Sequence, residues 1–167
     1  MTDRMIIMGV SGCGKSMIGF AFAKSIGAAF IDGDDLHPAE NVAKMASGQP
    51  LTDADRAGWL ARVAETLRIN EENVVIACSA LKRKYRDAIR NGAKADVVFL
   101  HLVGARDVIA SRMSARHDHF MPPKLLSSQF AALEPLEPDE MAVEVNINQD
   151  PAAIVAELIL KLKGEQK

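Results

Sequence analysis

Two cysteines in a chain of 167 residues, Cys13 and Cys78, are too few for a disulfide framework, so a reducing cytoplasm is the simplest setting. No block of basic residues occurs and the net charge is -2, which argues against nucleic acid as the main partner. The longest apolar runs are far too short to span a bilayer, so no membrane partner is expected. The opening "MTDRMIIMGV" lacks the apolar length and cleavage site of a signal peptide. Repeats, low-complexity segments and internal linkers are also missing. What remains is 49% apolar and 25% charged, the balance of a globular chain whose length suits one domain, residues 1–167, with a core of its own.

Short apolar runs alternate with amphipathic stretches. Strands are predicted at 4–9, 28–32, 73–79, 96–104 and 141–148. Helices are predicted over 15–26, 38–47 with Pro38 at its start, 81–91, 105–116, 124–134 and 151–163. Thr52 suits an N-cap, with Asp53 and Asp55 at the positive end of the helix that follows. That helix places Leu60, Val63 and Leu67 on one face, with Trp59 beside them as core or pocket wall. The segment "HDHFMPP" at 117–123 breaks the pattern and reads as a loop. Strand–helix alternation predicts a five-stranded parallel sheet with helices on both faces, the three-layer α/β class. Ligands of such sheets bind at the carboxyl ends of the strands.

The first of those ends carries "MGVSGCGKS", which contains G-x-x-x-x-G-K-S from Gly9 to Ser16. Gly9, Gly12 and Gly14 let the backbone curl around an anion, and Val10, Ser11 and Cys13 complete the cradle of N–H groups. Lys15 would reach the β- and γ-phosphates of a nucleotide, and Ser16 would bind Mg²⁺. The motif follows a predicted strand and opens a predicted helix, which is the context it needs. An Asn-Lys-x-Asp guanine motif is absent, and the third strand ends in Cys78 and Ser79 with no acid. Carboxylates stand instead after the second strand, in "DGDD". Asp32 is the candidate to support the metal, and Asp34 to take a proton from an attacking hydroxyl. The alternative reading of "DGDD" is an acidic turn that caps the next helix. Three carboxylates would repel a nucleoside monophosphate, so a neutral hydroxyl acceptor fits better.

These residues resemble the gluconokinases, small P-loop kinases related in fold to shikimate and nucleotide kinases. The resemblance runs from about residue 5 to 160 and is carried by "MGVSGCGKS", "FIDGDDLHPAENVAKMASGQPLTDADRAGWL", "CSALKRKYRDAIR" and "RMSARHDHFMPPKLLSSQFAALE". It implies the P-loop kinase fold with a small lid at about 112–130, ATP-dependent phosphorylation of D-gluconate to 6-phosphogluconate, and a homodimer. The product would feed the pentose phosphate or Entner–Doudoroff routes. Three positions depart from the family pattern: Cys13 stands where serine is usual, Gly58 where proline precedes Trp59, and Asp118 where glycine is usual in the lid. A kinase for another small hydroxy acid, such as a shikimate-like acceptor, is the second reading. A nucleotide-gated binding module without an acceptor is the third.

Further residues carry paired readings. Arg112 and Arg116, four apart on one helical face, either close over ATP and stabilise the transferring charge or form a solvated basic face. His119 either touches a ligand or packs within the lid. Arg56, Lys82 and Arg86 are candidates for the gluconate carboxylate, since a guanidinium fork matches a carboxylate. Lys84 and Arg90 read as a wet helix face. His37, ahead of Pro38, either bonds a sugar hydroxyl or orders its turn. Cys13 is either an inert stand-in for serine or an accessible thiol whose pKa is lowered by the helix N-terminus and Lys15. The second possibility places Cys78 close enough to pair, within about 7 Å between Cα atoms.

Overall fold

A computed structural model of the protein describes residues 3–114 and 123–165. In chain order the elements are β1 (Arg4–Met8), α1 (Lys15–Ile26), β2 (Ala29–Asp32), a 3₁₀ turn (Gly33–Leu36), α2 (Ala39–Ala46) and α3 (Asp53–Ile69). There follow β3 (Val74–Ala77), α4 (Arg83–Ala93), β4 (Val98–Val103), α5 (Arg106–Ser114), α6 (Pro123–Ala132), β5 (Ala142–Asn146) and α7 (Pro151–Glu165). The five strands lie in the order β2-β3-β1-β4-β5, and every pairing is parallel. Each predicted strand and helix is present. Pro38 sits one residue outside its helix, as the N-cap of α2.

Alternation along the strands builds two apolar layers. Met5, Ile7, Val75, Leu100 and Val143 face one side, where α1 and α7 supply Ile18, Phe22, Ile154 and Leu158. Ile6, Met8, Val74, Ile76 and Phe99 face the other, where α3 and α4 supply Leu60, Val63, Leu67 and Ile89. All the strands run in one direction, so their carboxyl ends share one edge of the sheet. The phosphate loop, the "DGDD" turn and the loop after β3 are gathered there.

Two local features fix how α3 enters the site. Thr52 accepts a hydrogen bond from the Asp55 N–H while the Asp55 carboxylate accepts one from the Thr52 N–H, a complete capping box. The helix therefore starts at Asp53 and runs through Gly58, so a glycine in place of proline leaves its start intact. Downstream, Trp59 is buried and its indole N–H donates to the Gly33 carbonyl at 2.7 Å, tying α3 to the "DGDD" turn.

Candidate active site

The loop from Gly9 to Gly14 takes its shape from three glycines with positive φ, at 148°, 83° and 94°. A Cβ on Gly9 would sit 2.7 Å from the Cys13 Sγ, so the first turn of the loop closes only over a hydrogen. The N-terminus of α1, with Gly14 as N-cap, points its free N–H groups into the loop. The Lys15 ammonium lies back across the loop, donating to the Gly9 carbonyl at 2.9 Å and the Val10 carbonyl at 3.1 Å. Phosphate oxygens are stronger acceptors for an ammonium than these carbonyls.

The acid missing from β3 is supplied by its neighbour. β2 pairs with β3 in a register that sets Asp32 beside Ala77. From there the Asp32 carboxylate spans to α1 and accepts from the Ser16 hydroxyl at 2.9 Å. Its other oxygen caps the 3₁₀ turn by accepting from the Asp34 N–H at 3.0 Å. Hydroxyl and carboxylate oxygens together are the hard donors a magnesium ion takes. Asp34 stands next to them, its side chain open to solvent but set down among the surrounding chain. Partial burial, followed by the Asp32 and Asp35 carboxylates, raises its pKa above the ordinary aspartate value; His37 and Lys15 oppose the shift without cancelling it.

On the far side of the turn, His37 stacks on Trp59 with ring centroids 4.3 Å apart and planes 15° from parallel. Its Nδ1 lies 3.3 Å from the Asn41 side-chain amide, which also donates to the Asp55 carbonyl. Burial, against the pull of Asp34, lowers the His37 pKa, so the ring is neutral near pH 7. Arg56, Lys82 and Lys84 surround the Tyr85 ring, each 5.6 to 5.8 Å from its centroid. Lys84 and Tyr85 both hold Asp53, whose pKa falls to about 2. Arg56 contacts the Tyr85 hydroxyl at 3.4 Å and Asp53 at 3.6 Å, both long, and so keeps donors for a ligand.

Beside the phosphate loop lies a cavity of about 350 Å³, walled by Met17, Ile18, Pro151 and Ile154 and bordered by Gln149 and Arg112. Arg112 donates to the Ile147 carbonyl at 2.5 Å, which anchors it to the segment between β5 and α7. Arg116, His119 and Asp118 lie outside the described residues.

Three readings of the sequence need correction. Arg86 does not face a ligand. It is fully buried, and its five N–H donors are spent on Glu140, Ala80, Leu81 and Pro135. Burial alone would raise the Glu140 pKa, but hydrogen bonds from Arg86, the Glu137 N–H and Arg90 bring it down to about 2. Arg90 belongs to the same network, donating to Glu140 at 2.9 Å, and is not a wet face. The reactive reading of Cys13 also fails. The thiol is 1% exposed, and burial raises its pKa against the opposing effects of Lys15 and the loop N–H groups. Cys78 is likewise buried, pushed up to about 12, and the two free thiols belong to opposite layers of the core. Native protein is therefore expected to resist thiol reagents, with both cysteines reacting only in denaturant and Mg-ATP making no difference. Rapid native labelling of Cys13 that ATP slows, mapped by mass spectrometry, would contradict this.

Asn41, Tyr85 and Gln129 carry contacts that the sequence reading did not single out. Asn41 had a signal, since it falls four residues after His37 at the start of a helix. The other two are set by contacts distant in sequence.

A family model described as shikimate kinase matches residues 11–163 of the chain. The thermosensitive gluconokinase of Escherichia coli (strain K12) is 47% identical over 156 residues, covering 91% of this chain and 83% of that one. The gluconokinase of Gluconobacter oxydans (strain 621H) is 42% identical over 164 residues, covering 96% and 92%. This chain belongs to the gluconokinase family. Membership rests on nearly the whole chain, so the segments after β2 and β3 are included along with the generic phosphate loop. The crystal structure of a gluconokinase from Sinorhizobium meliloti 1021 superposes with a TM-score of 0.89 at 46% identity, over 97% of this chain and 92% of that one. A P-loop kinase fold and use of ATP follow from the family.

Proposed function

We propose that the protein transfers the γ-phosphoryl group of ATP to the 6-hydroxyl of D-gluconate, giving 6-phosphogluconate and ADP. The observation that carries this reading is the 2.9 Å contact between Ser16 and Asp32, with Asp34 two residues further on. It puts a metal-side pair and a candidate base at the mouth of one phosphate loop. The loop from Gly9 to Ser16 wraps the phosphates, with the Gly9 and Ser11 N–H groups kept by the Ser79 carbonyl and Gln129, and Lys15 turns from the loop carbonyls to the β- and γ-phosphates. Ser16 and Asp32 would hold Mg²⁺, which when bound neutralises charge on the β- and γ-oxygens. Asp34 orients the acceptor hydroxyl and takes its proton as the oxygen bonds phosphorus and the bond to the ADP oxygen breaks. Arg112 and Arg116 close over ATP and stabilise the transferring charge, the role that the resemblance implies for them. The cavity beside the loop has room for a base and is apolar enough to hold one.

Arg56 and Lys82 meet the gluconate carboxylate, with His37 and His119 serving hydroxyls. A neutral His37 suits that role, because it both donates and accepts. The resemblance to the gluconokinases implies a cytoplasmic homodimer whose product enters the pentose phosphate or Entner–Doudoroff routes. Among the described residues, no helix is long and apolar enough to cross a membrane.

A shikimate-like acceptor is the second reading, and it has less support than gluconate because the relatives matched over more than nine-tenths of the chain are gluconokinases. ADP release measured across a panel of sugar acids, shikimate and no acceptor separates the readings. Strong release only with gluconate is expected. In the same assay Arg56→Ala should raise the gluconate KM far more than the ATP KM and narrow the preference over a neutral polyol. Acceptor-independent release would point to a nucleotide-gated module, and equal effects on both KM values would remove Arg56 from the acceptor side.

A further inference from the structure

One short stretch of chain grips both sides of the site. From α6, the Gln129 side-chain oxygen accepts from the backbone N–H of Ser11 at 3.2 Å and from its hydroxyl at 3.3 Å. Five residues later, the Glu134 carboxylate accepts from the Arg83 N–H at 2.7 Å, and the Glu134 N–H donates to the Leu81 carbonyl at 2.7 Å. Lys82 is thus held between two residues that Glu134 anchors. Arg86, buried below, adds bonds to the Ala80 and Leu81 carbonyls. These contacts add to those that already shape the phosphate loop, the Gly9 N–H bond to the Ser79 carbonyl at 3.3 Å and the two Lys15 bonds across the loop. The loop after β3 is irregular too, with Ala80 at a φ of 47°.

We propose that the stretch from Gln129 to Glu134 is a two-point positioning brace: it sets the phosphate loop against the loop that carries Lys82. Neither side chain touches the reacting atoms. Their effect is on distance, because the donor group is bound by one loop and the acceptor by the other. Misplacement by about 1 Å can cost a reaction roughly a hundredfold. The catalytic consequence rests on the gluconate kinase reading, but the geometric claim does not.

The experiment compares Gln129→Met and Glu134→Met, which keep size and remove the acceptor, with Glu134→Gln, which keeps an acceptor oxygen. Amide hydrogen exchange of the ligand-free full chain is the first measurement. Protection is expected to fall at residues 10–14 in Gln129→Met and at 80–84 in Glu134→Met, and to survive in Glu134→Gln. The second measurement is kinetic. Each methionine variant should lose about tenfold in kcat, the scale of a lost hydrogen bond amplified by misalignment, with little change in either KM. The double variant should lose less than the product of the two. Where a methionine variant does not fold, the alanine variant replaces it. Unchanged exchange in both variants overturns the brace, as does a rise in KM at constant kcat. Tighter ATP binding by Gln129→Met also overturns it, since the amide would then be competing with phosphate. If exchange behaves as expected but wild-type protein shows no gluconate-dependent turnover, the brace stands and the gluconate reading falls.

Discussion

Replacement of Lys15 by alanine is expected to lower kcat by roughly 10²- to 10³-fold, the loss typical when one group that stabilises transition-state charge is removed. The ammonium now bonds the Gly9 and Val10 carbonyls within its own loop. On the proposed reading those contacts are exchanged for phosphate oxygens when a nucleotide binds. The gain is greatest when charge spreads over the transferring group, so the loss should fall on kcat more than on KM. Met5, Ile7 and Ile18 pack the surrounding layer without help from Lys15, and thermal unfolding should show a folded variant. Near-normal turnover in that folded variant would remove the phosphate-loop assignment. Lys15→Met, which keeps most of the stem, checks that the lost charge and not the lost contact with the loop is responsible.

A loss of comparable size is expected from Asp34→Asn. A positioned general base contributes roughly 10²- to 10⁴-fold, and asparagine keeps the size while losing the proton acceptor. Calorimetry should find ATP binding retained. Loss of ATP binding with gluconate binding intact would mean that Asp32 and Asp34 have been assigned each other's roles. The pH profile adds a second check. Partial burial and the neighbouring Asp32 and Asp35 carboxylates raise the Asp34 pKa, and a base works only when deprotonated. Activity should therefore rise with pH through the Asp34 pKa, along a limb that partial burial displaces above the usual aspartate range and that Mg²⁺ held by Asp32 would draw back down. Asp34→Asn should abolish that limb along with the rate. A limb at the ordinary aspartate value would mean that bound substrate or Mg²⁺ relieves the crowding of the three carboxylates.

Much of the candidate site's placement was legible because its residues are positioned by neighbours close in sequence. Gly9, Gly12, Gly14, Lys15 and Ser16 form one loop and one helix start. The glycines there serve a backbone shape, and no distant contact is required to recognise it. Asp32 and Asp34 were legible for the same reason, as an acidic turn at the end of a strand. The capping box of Thr52 and Asp55 is likewise a pattern of four residues.

Arg86 shows where that reasoning stops. In the sequence it is one of several cations in "ALKRKYRDAIR", with nothing to distinguish it from Lys82 or Lys84. The packing of α4 turns it inward onto Glu140, 54 residues away, while its neighbours point to Asp53 and Tyr85. A buried guanidinium needs a carboxylate and several carbonyls in place, and only the folded chain supplies them. For Cys13 the structure decides between two readings that the sequence left open, in favour of the inert one. Its neighbours in sequence, Lys15 and the helix N-terminus, predict a lowered pKa, but desolvation in the core outweighs them. The sequence by itself determined the parallel α/β sheet, the phosphate loop and the acidic turn, because each is written in local periodicity or in adjacent residues. Only the tertiary structure decided which cations remain free for a ligand, which thiols are inert, and that Gln129 reaches Ser11 across 118 residues. Those outcomes depend on burial and on contacts between distant segments, which local pattern does not encode.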